Sequence, residues 1–433
     1  QIVDEGKDIY EIQDEFDSLV KKIKHQEFLE YQEEIGLFFD KLQKLPLRKD
    51  FQFFEPISFD EVKKEWGQFY FVSMKEVNDK KIKDKIYGGW FGRCAGCLLG
   101  KPIEGWKREK IINFLKETGQ FPLKHYMRSD FSSDITEKYK ISKNCFINNI
   151  ENMVEDDDLN YTVLALTLVE KYGYNFTPID FSKNLLEKIP ILRTCTAERV
   201  VYKNLVNLKS PEISAFFRNP YREWIGAQIR TDFYGYINPG EPEKAVELAY
   251  KDASVTHIKN GVYGAMFISA MISIAFFEDD VEKIVKYGLN YIPQKSRLAE
   301  GIKEILDYKE KGLSYEEVSN IIHKKWDEKN PHHWCHVISN AQIVTIGLLW
   351  GNGDFGESIC KAVSIGFDTD CNGATVGSIM GVKIGKKNLP EEWIKPLNNK
   401  IETGITGFSK VKITDLAKKT FEIYKKGEHH RKS

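Results

Sequence analysis

Two stretches of this chain carry a glycine at every fourth position, and any fold must accommodate them. Gly88, Gly92, Gly96 and Gly100 form one set; Gly373, Gly377, Gly381 and Gly385 form the other. On an α-helix this spacing puts each set on a single stripe. A glycine inside a helix costs about 1 kcal/mol against alanine, so stripes of four make sense where another backbone must come very close. The spacing predicts two glycine-faced helices packed together in the core. Continued one step, the first stripe reaches Glu104. The second opens just behind Asp368 and Asp370.

A third stretch, Glu155-Asp156-Asp157-Asp158, stands before an apolar run that reads as a helix to about Tyr172. One or two acids at a helix start suit the macrodipole. Four side by side repel one another unless a cation neutralises them.

Along the rest of the chain the apolar periods are helical almost throughout, strand-like alternation is scarce, and the fold class is all-α. Residues 1–80 read as an N-terminal helical accessory segment. Ile9, Ile12, Phe16, Leu19 and Ile23 step by three or four, as do Phe28, Tyr31, Ile35, Phe38 and Leu42, and Ser58 with Glu61 fits a capping box. The segment packs on the main body or supports a partner or an oligomer. The main helical domain covers 81–426, with loops over roughly 120–150 as a pocket rim. Asn219 to Gly240 reads as a pocket wall carrying Gly226, Gln228 and Arg230. Thr256-His257 precedes a very apolar helix.

Composition removes several function classes. With a net charge of −1, there is no bulk electrostatic case for nucleic acid or an anionic membrane. No apolar run is long enough to span a bilayer and no signal-peptide pattern is seen. Seven cysteines, an odd number, read as reduced thiols in a cytoplasmic setting. Cys94 and Cys97 form a CxxC without a second pair and read as buried small residues. The His332-His333-Trp334-Cys335-His336 run lacks zinc spacing and reads as an imidazole rim beside the site.

Glu104, Asp156, Asp157, Asp158, Asp368 and Asp370 offer only oxygen, which favours hard cations such as magnesium, manganese or calcium. The constellation suggests a dinuclear magnesium-type site able to activate water and hold hydroxyl groups.

The run Gly366-Phe-Asp-Thr-Asp-Cys-Asn-Gly-Ala-Thr-Val-Gly-Ser-Ile-Met-Gly381 resembles the signature of the ADP-ribosylglycohydrolases. The opening glycine run ending in Pro102-Ile103-Glu104, the Asp156-Asp157-Asp158-Leu159 run and Thr256-His257 are similar to that family's other motifs. The resemblance covers about Lys81 to Gly407. It implies a compact orthogonal multi-helix bundle with two Mg2+ ions (or Mn2+) in a cleft. Asp157, Asp158, Asp368 and Asp370 would be ligands, with Asp156 and Glu104 on or near a metal, and Glu104 or Asp157 would manage the proton. Gly226, Gln228, Arg230, His257 and Asn372 are the expected substrate-binding residues. The expected reaction is hydrolysis at the anomeric carbon of ADP-ribose, removing it from a modified protein side chain; a nucleoside or other small ribosyl compound is the alternative substrate. A protein that binds ADP-ribose without cleaving it would be expected to lose metal carboxylates, which this chain keeps. Asp156 stands where the family has threonine, Leu159 replaces a second threonine, Cys371 replaces another, and Ile225-Gly-Ala-Gln-Ile-Arg230 replaces the family's Asn-Gly-x-x-Met-Arg.

Overall fold

The computed structural model describes residues 1–25, 28–68 and 78–432; positions 69–77 of the expected N-terminal segment lie outside the described residues. Among the described residues there are 22 α-helices and one two-stranded antiparallel sheet, Lys400–Glu402 with Lys410–Lys412. None of these helices is long and apolar enough to cross a membrane.

The elements used below are α1 (Gln13–His25), α2 (Gln32–Gln43), α3 (Asp79–Gly100), α4 (Asp157–Tyr172), α5 (Thr196–Val206), α6 (Asn260–Ala275), α7 (Val337–Trp350), α8 (Thr369–Ile384) and α9 (Ile413–Lys432). Helices α3 and α8 form the axis. They run antiparallel, and their glycines face each other in register. A Cβ on Gly88 would fall on the Gly381 carbonyl oxygen, one on Gly92 on that of Gly377, and one on Gly96 on that of Gly373, all inside hard-sphere contact. The same holds in reverse for Gly373, Gly377 and Gly381. The next step pairs Gly100 with Thr369, whose hydroxyl donates to the Gly100 carbonyl at 2.9 Å.

Two details differ from the sequence expectation. Gly385 follows the end of α8 as its C-cap, with φ +78°, though its backbone still packs against Gly88. Glu104 lies beyond α3, after a 3₁₀ turn over Lys101–Ile103, so it reaches the site from a loop.

Around this pair the core is apolar. Every residue of α6 and α7 is buried, as an all-round hydrophobic helix requires. Helix α9 closes the other side of α3, where the Trp90 indole donates to Thr420 Oγ1 at 2.9 Å. A complete capping box, Thr177 with Asp180, opens the helix Pro178–Lys188. At Ser58 the hydroxyl turns to the Glu61 carboxylate at 2.6 Å and leaves the backbone uncapped.

Helices α1 and α2 share a small separate core of Ile12, Leu19 and Phe38. The chain before and after them is tied to the main body by charge. Glu5 pairs with Arg222 at 2.7 Å and Asp4 with His332 at 2.6 Å, while Glu55 and Glu223 share Arg297 at 2.8 and 2.7 Å.

Candidate metal centre

The acids arrive from two helix starts and one loop. Asp156 is the N-cap of α4 and accepts from the Asp158 backbone N–H at 2.8 Å; Asp157 and Asp158 fill the first turn. Asp368 caps α8 and Asp370 lies in its first turn. Both positive helix ends therefore point at one acidic cluster. Before Asp368 the backbone makes a tight turn, with Gly366 at φ +92° and the buried Phe367 at φ +58°. A left-handed aromatic residue costs about 1–3 kcal/mol, and here it aims Asp368 inward. The Asn340 side chain of α7 steadies this turn, accepting from the Asp368 N–H at 3.4 Å and from Asn372 Nδ2 at 2.8 Å.

The antiparallel axis brings the acids together. Because Gly100 meets Thr369, the residues that follow α3 are delivered to the start of α8. Lys101 Nζ stands 2.6 Å from Asp156 Oδ2, 2.7 Å from Glu104 Oε2 and 3.5 Å from Asp370 Oδ2. Arg93, fully buried on α3, reaches Asp158 Oδ1 at 3.3 Å and Asp232 Oδ2 at 2.8 Å. The Cys97 thiol lies within 4.8 Å of carboxylate oxygens of Asp156, Asp158 and Asp370; the Cys371 thiol does the same with Asp368 and Asp370. Glu155 turns away to Arg193 and Asn160.

The electrostatics are unbalanced. Burial, then the charges of Asp156, Asp368 and Glu104, push the Asp157 carboxyl up to about 8. Burial and Glu104 push Asp368 up to about 7. Asp158 and Asp370 are raised well above the carboxylate range, first by burial. Burial acts on Asp156 in the same direction, but the Lys101 ammonium beside it outweighs this and holds Asp156 below its ordinary value. Asp158 Oδ2 and Asp370 Oδ1 are buried and accept no hydrogen bond. Burial raises both thiols well above the usual range, so they stay protonated and the charged donors are oxygen alone. Orphaned, mutually repelling carboxylate oxygens fit a hard divalent cation.

The residues expected to bind substrate are buried. Arg230 is fully buried and donates to Asp252 at 2.5 Å, Glu198 at 2.7 Å and Thr256 at 2.8 Å. Thr256 Oγ1 and His257 Nδ1 are 2.7 Å apart, and His257 Nε2 has no hydrogen-bond partner. Burial lowers the His257 pKa well below its ordinary value, so the ring is neutral. Gly226 backs onto the Glu198 carboxylate, where a Cβ would clash. The Gln228 side-chain amide is buried with neither atom hydrogen-bonded, and Asn372 Oδ1 is unpaired as well.

Nearer solvent, the exposed Cys195 is pushed up to about 12 by burial of its thiol and by the Asp157 charge beside it. Burial also raises Cys335, with Asp368 and Asp157 adding to the shift. In the histidine run, His332 accepts from the Trp224 indole at 2.9 Å and meets Asp4, while His336 Nδ1 accepts the Ile338 N–H at 3.2 Å. His332 therefore donates from Nε2 to Asp4, while His336 Nε2 is buried without a partner.

Lys101 and Arg93 were not singled out by the sequence reading, and Cys97 was read there only as a buried small residue. For the first two, the signal was spacing. Arg93 lies on the face of α3 toward α4, and Lys101 directly follows the glycine that touches Thr369.

Residues 78–430 match the family profile described as ADP-ribosylglycohydrolase. Among solved structures 44 chains match; one, titled "ADP-ribosylglycohydrolase-related protein complex", aligns with a TM-score of 0.52 at 16% identity. That alignment covers 80% of this chain and 99% of the other, and at such identity it speaks for the fold. No curated protein matches the chain.

Proposed function

The chain belongs to the ADP-ribosylglycohydrolase family, which makes it a hydrolase of a glycosidic bond, and we propose that the bond it cuts is at the anomeric carbon of ADP-ribose, on a modified protein side chain. The observation that carries this reading is the convergence of Asp156–Asp158 and Asp368/Asp370 with two buried oxygens left unpaired. Asp157, Asp158, Asp368 and Asp370 would hold magnesium, with manganese able to replace it. When bound, such a cation supplies positive charge for ribose hydroxyls and makes water a better nucleophile near neutral pH.

The chain's own groups do the rest. Glu104, with 40% of its side chain exposed at the edge of the cluster, takes a proton from the attacking water at its free carboxylate oxygen. Asp157 is the second carboxylate placed to take that proton. His257, Gln228 and Asn372 present unpaired polar atoms to the ribosyl group, while Gly226 lets its backbone come close. Arg230 acts from behind, fixing Glu198 and Thr256 and through them the loop at Gly226 and the ring of His257.

The test is a set of reactions of purified protein with arginine-linked and serine-linked ADP-ribose and with a nucleoside, with Mg2+ or after chelation, read by product mass. Release of free ADP-ribose that stops on chelation and returns with Mg2+ or Mn2+ supports the reading. Cleavage of the nucleoside alone replaces the substrate class. Full activity in Asp368→Ala/Asp370→Ala protein without divalent ions rejects the metal centre.

A further inference from the structure

The acidic cluster already contains a cation. Lys101 Nζ contacts carboxylates from three separate segments: Asp156 at the cap of α4, Asp370 in the first turn of α8, and Glu104 on its own loop. The ammonium, a donor only, hydrogen-bonds Glu104 at 2.7 Å and meets Asp156 and Asp370 as ion pairs. Its position is fixed by the backbone. Lys101 follows Gly100, whose Cα lies against the Thr369 backbone so closely that no Cβ would fit, and only 20% of the Lys101 side chain is exposed. The ammonium therefore bridges α4 and α8 where an ion shared by Asp156 and Asp370 would sit.

We propose that Lys101 takes the place of one divalent ion, so that the centre of this chain loads a single divalent cation, not two. The inference rests on the metal reading given above and specifies it. An ion bound to Asp156 Oδ2 and Asp370 Oδ2 would need those oxygens at about 2.0–2.2 Å, and the ammonium already lies against the first of them. Two cations in contact in a buried place repel strongly. Asp158 Oδ2 and Asp370 Oδ1, which accept no hydrogen bond, remain free. With Asp157 and Asp368 they would supply the oxygen donors for one ion. In this arrangement Asp156 is the partner of Lys101 and not a ligand.

Titrating the metal-free full chain with Mn2+, and counting bound ions by the electron paramagnetic resonance of free Mn2+, decides the matter. The wild type is expected to bind one ion per chain. Lys101→Met keeps the stem and removes the charge, freeing Asp156 and Asp370, and is expected to bind two. Asp156→Asn in the wild-type background is expected to keep one ion, with affinity changed less than tenfold. Two tightly bound ions in the wild type overturn the inference while leaving the metal reading intact. So does a count of one in both wild type and Lys101→Met, or loss of the ion in Asp156→Asn. No binding in any of the proteins overturns both. The wild-type count and the Asp156→Asn count stand even if Lys101→Met does not fold, and circular dichroism reports whether it does.

Discussion

The Arg230 network and the aspartate cluster are both buried and both rich in carboxylates, and they differ in how those charges are met. Around Arg230, three of four carboxylate oxygens accept a hydrogen bond: Asp252 takes Arg230 and the Tyr234 hydroxyl, and Glu198 takes Arg230. The guanidinium also lies 5.0 Å from the Phe181 ring centroid. Around Asp156–Asp158 and Asp368/Asp370 there are more acids than cations, and three buried oxygens accept no hydrogen bond: Asp156 Oδ2, which meets Lys101 as an ion pair, Asp158 Oδ2 and Asp370 Oδ1. Protein donors nearly complete the first centre, whereas the second needs something added. A structural ion network and a ligand site are thus told apart by hydrogen-bond satisfaction, even though burial and residue types are alike.

The sharpest way to break this contrast is to remove ligands. Asp368→Ala with Asp370→Ala should lower hydrolysis by more than about 10³-fold, the scale of losing charge-stabilising groups. The same change should leave the thermal midpoint of the cation-free protein equal or higher, because it relieves repulsion. A large drop in that midpoint would place the two aspartates with the structural network. Next in size, Arg230→Met should destabilise the fold by about 3–5 kcal/mol, since it leaves Glu198 and Asp252 buried without their cation. Chemical denaturation measures this, and a stability within 1 kcal/mol of wild type would remove the structural role.

Smaller again, Gly96→Ala should cost about 1–3 kcal/mol by forcing α3 off α8. It should also weaken Mn2+ binding, because the same contact delivers Lys101 and Glu104 to the cluster; unchanged calorimetric affinity would uncouple the axis from the centre. The mildest effect is on pH. Asp157 and Asp368 have folded-state pKa values of about 8 and about 7, above their unfolded values. In the cation-free protein their ionisation therefore costs stability increasingly as pH rises from about 4 toward 8. A divalent cation must displace those protons, so its affinity should climb between pH 6 and 8, by about tenfold per unit for each proton released. A flat affinity over that range would show that these two carboxyls are not ligands.

Much of this was legible in the sequence. The glycine stripes announced the helix pair, and the pairing of Gly96 with Gly373 follows from antiparallel packing of equal periods. The acids were legible as a charge problem: Asp156, Asp157 and Asp158 cannot sit together unanswered. The threonine-to-aspartate departure at Asp156 looked like added charge without a cause, and the structure supplies Lys101 beside it. Less visible was that Glu155 would leave the cluster for Arg193, because one turn of backbone decides it. The CxxC gave no warning that Cys97 faces the aspartates while Cys94 faces the core, since the helix rotation that separates them is fixed by packing.

By itself the sequence determined the helical class, the close approach of two backbones and the need for positive charge near the acids. Those follow from local quantities: periodicity, the missing Cβ of glycine and the repulsion of adjacent carboxylates. Only the tertiary structure decided which cation answers which acid. The Arg93–Lys101 segment and the two aspartate runs are far apart along the chain, and Coulomb energy depends on distances in space that helix packing sets.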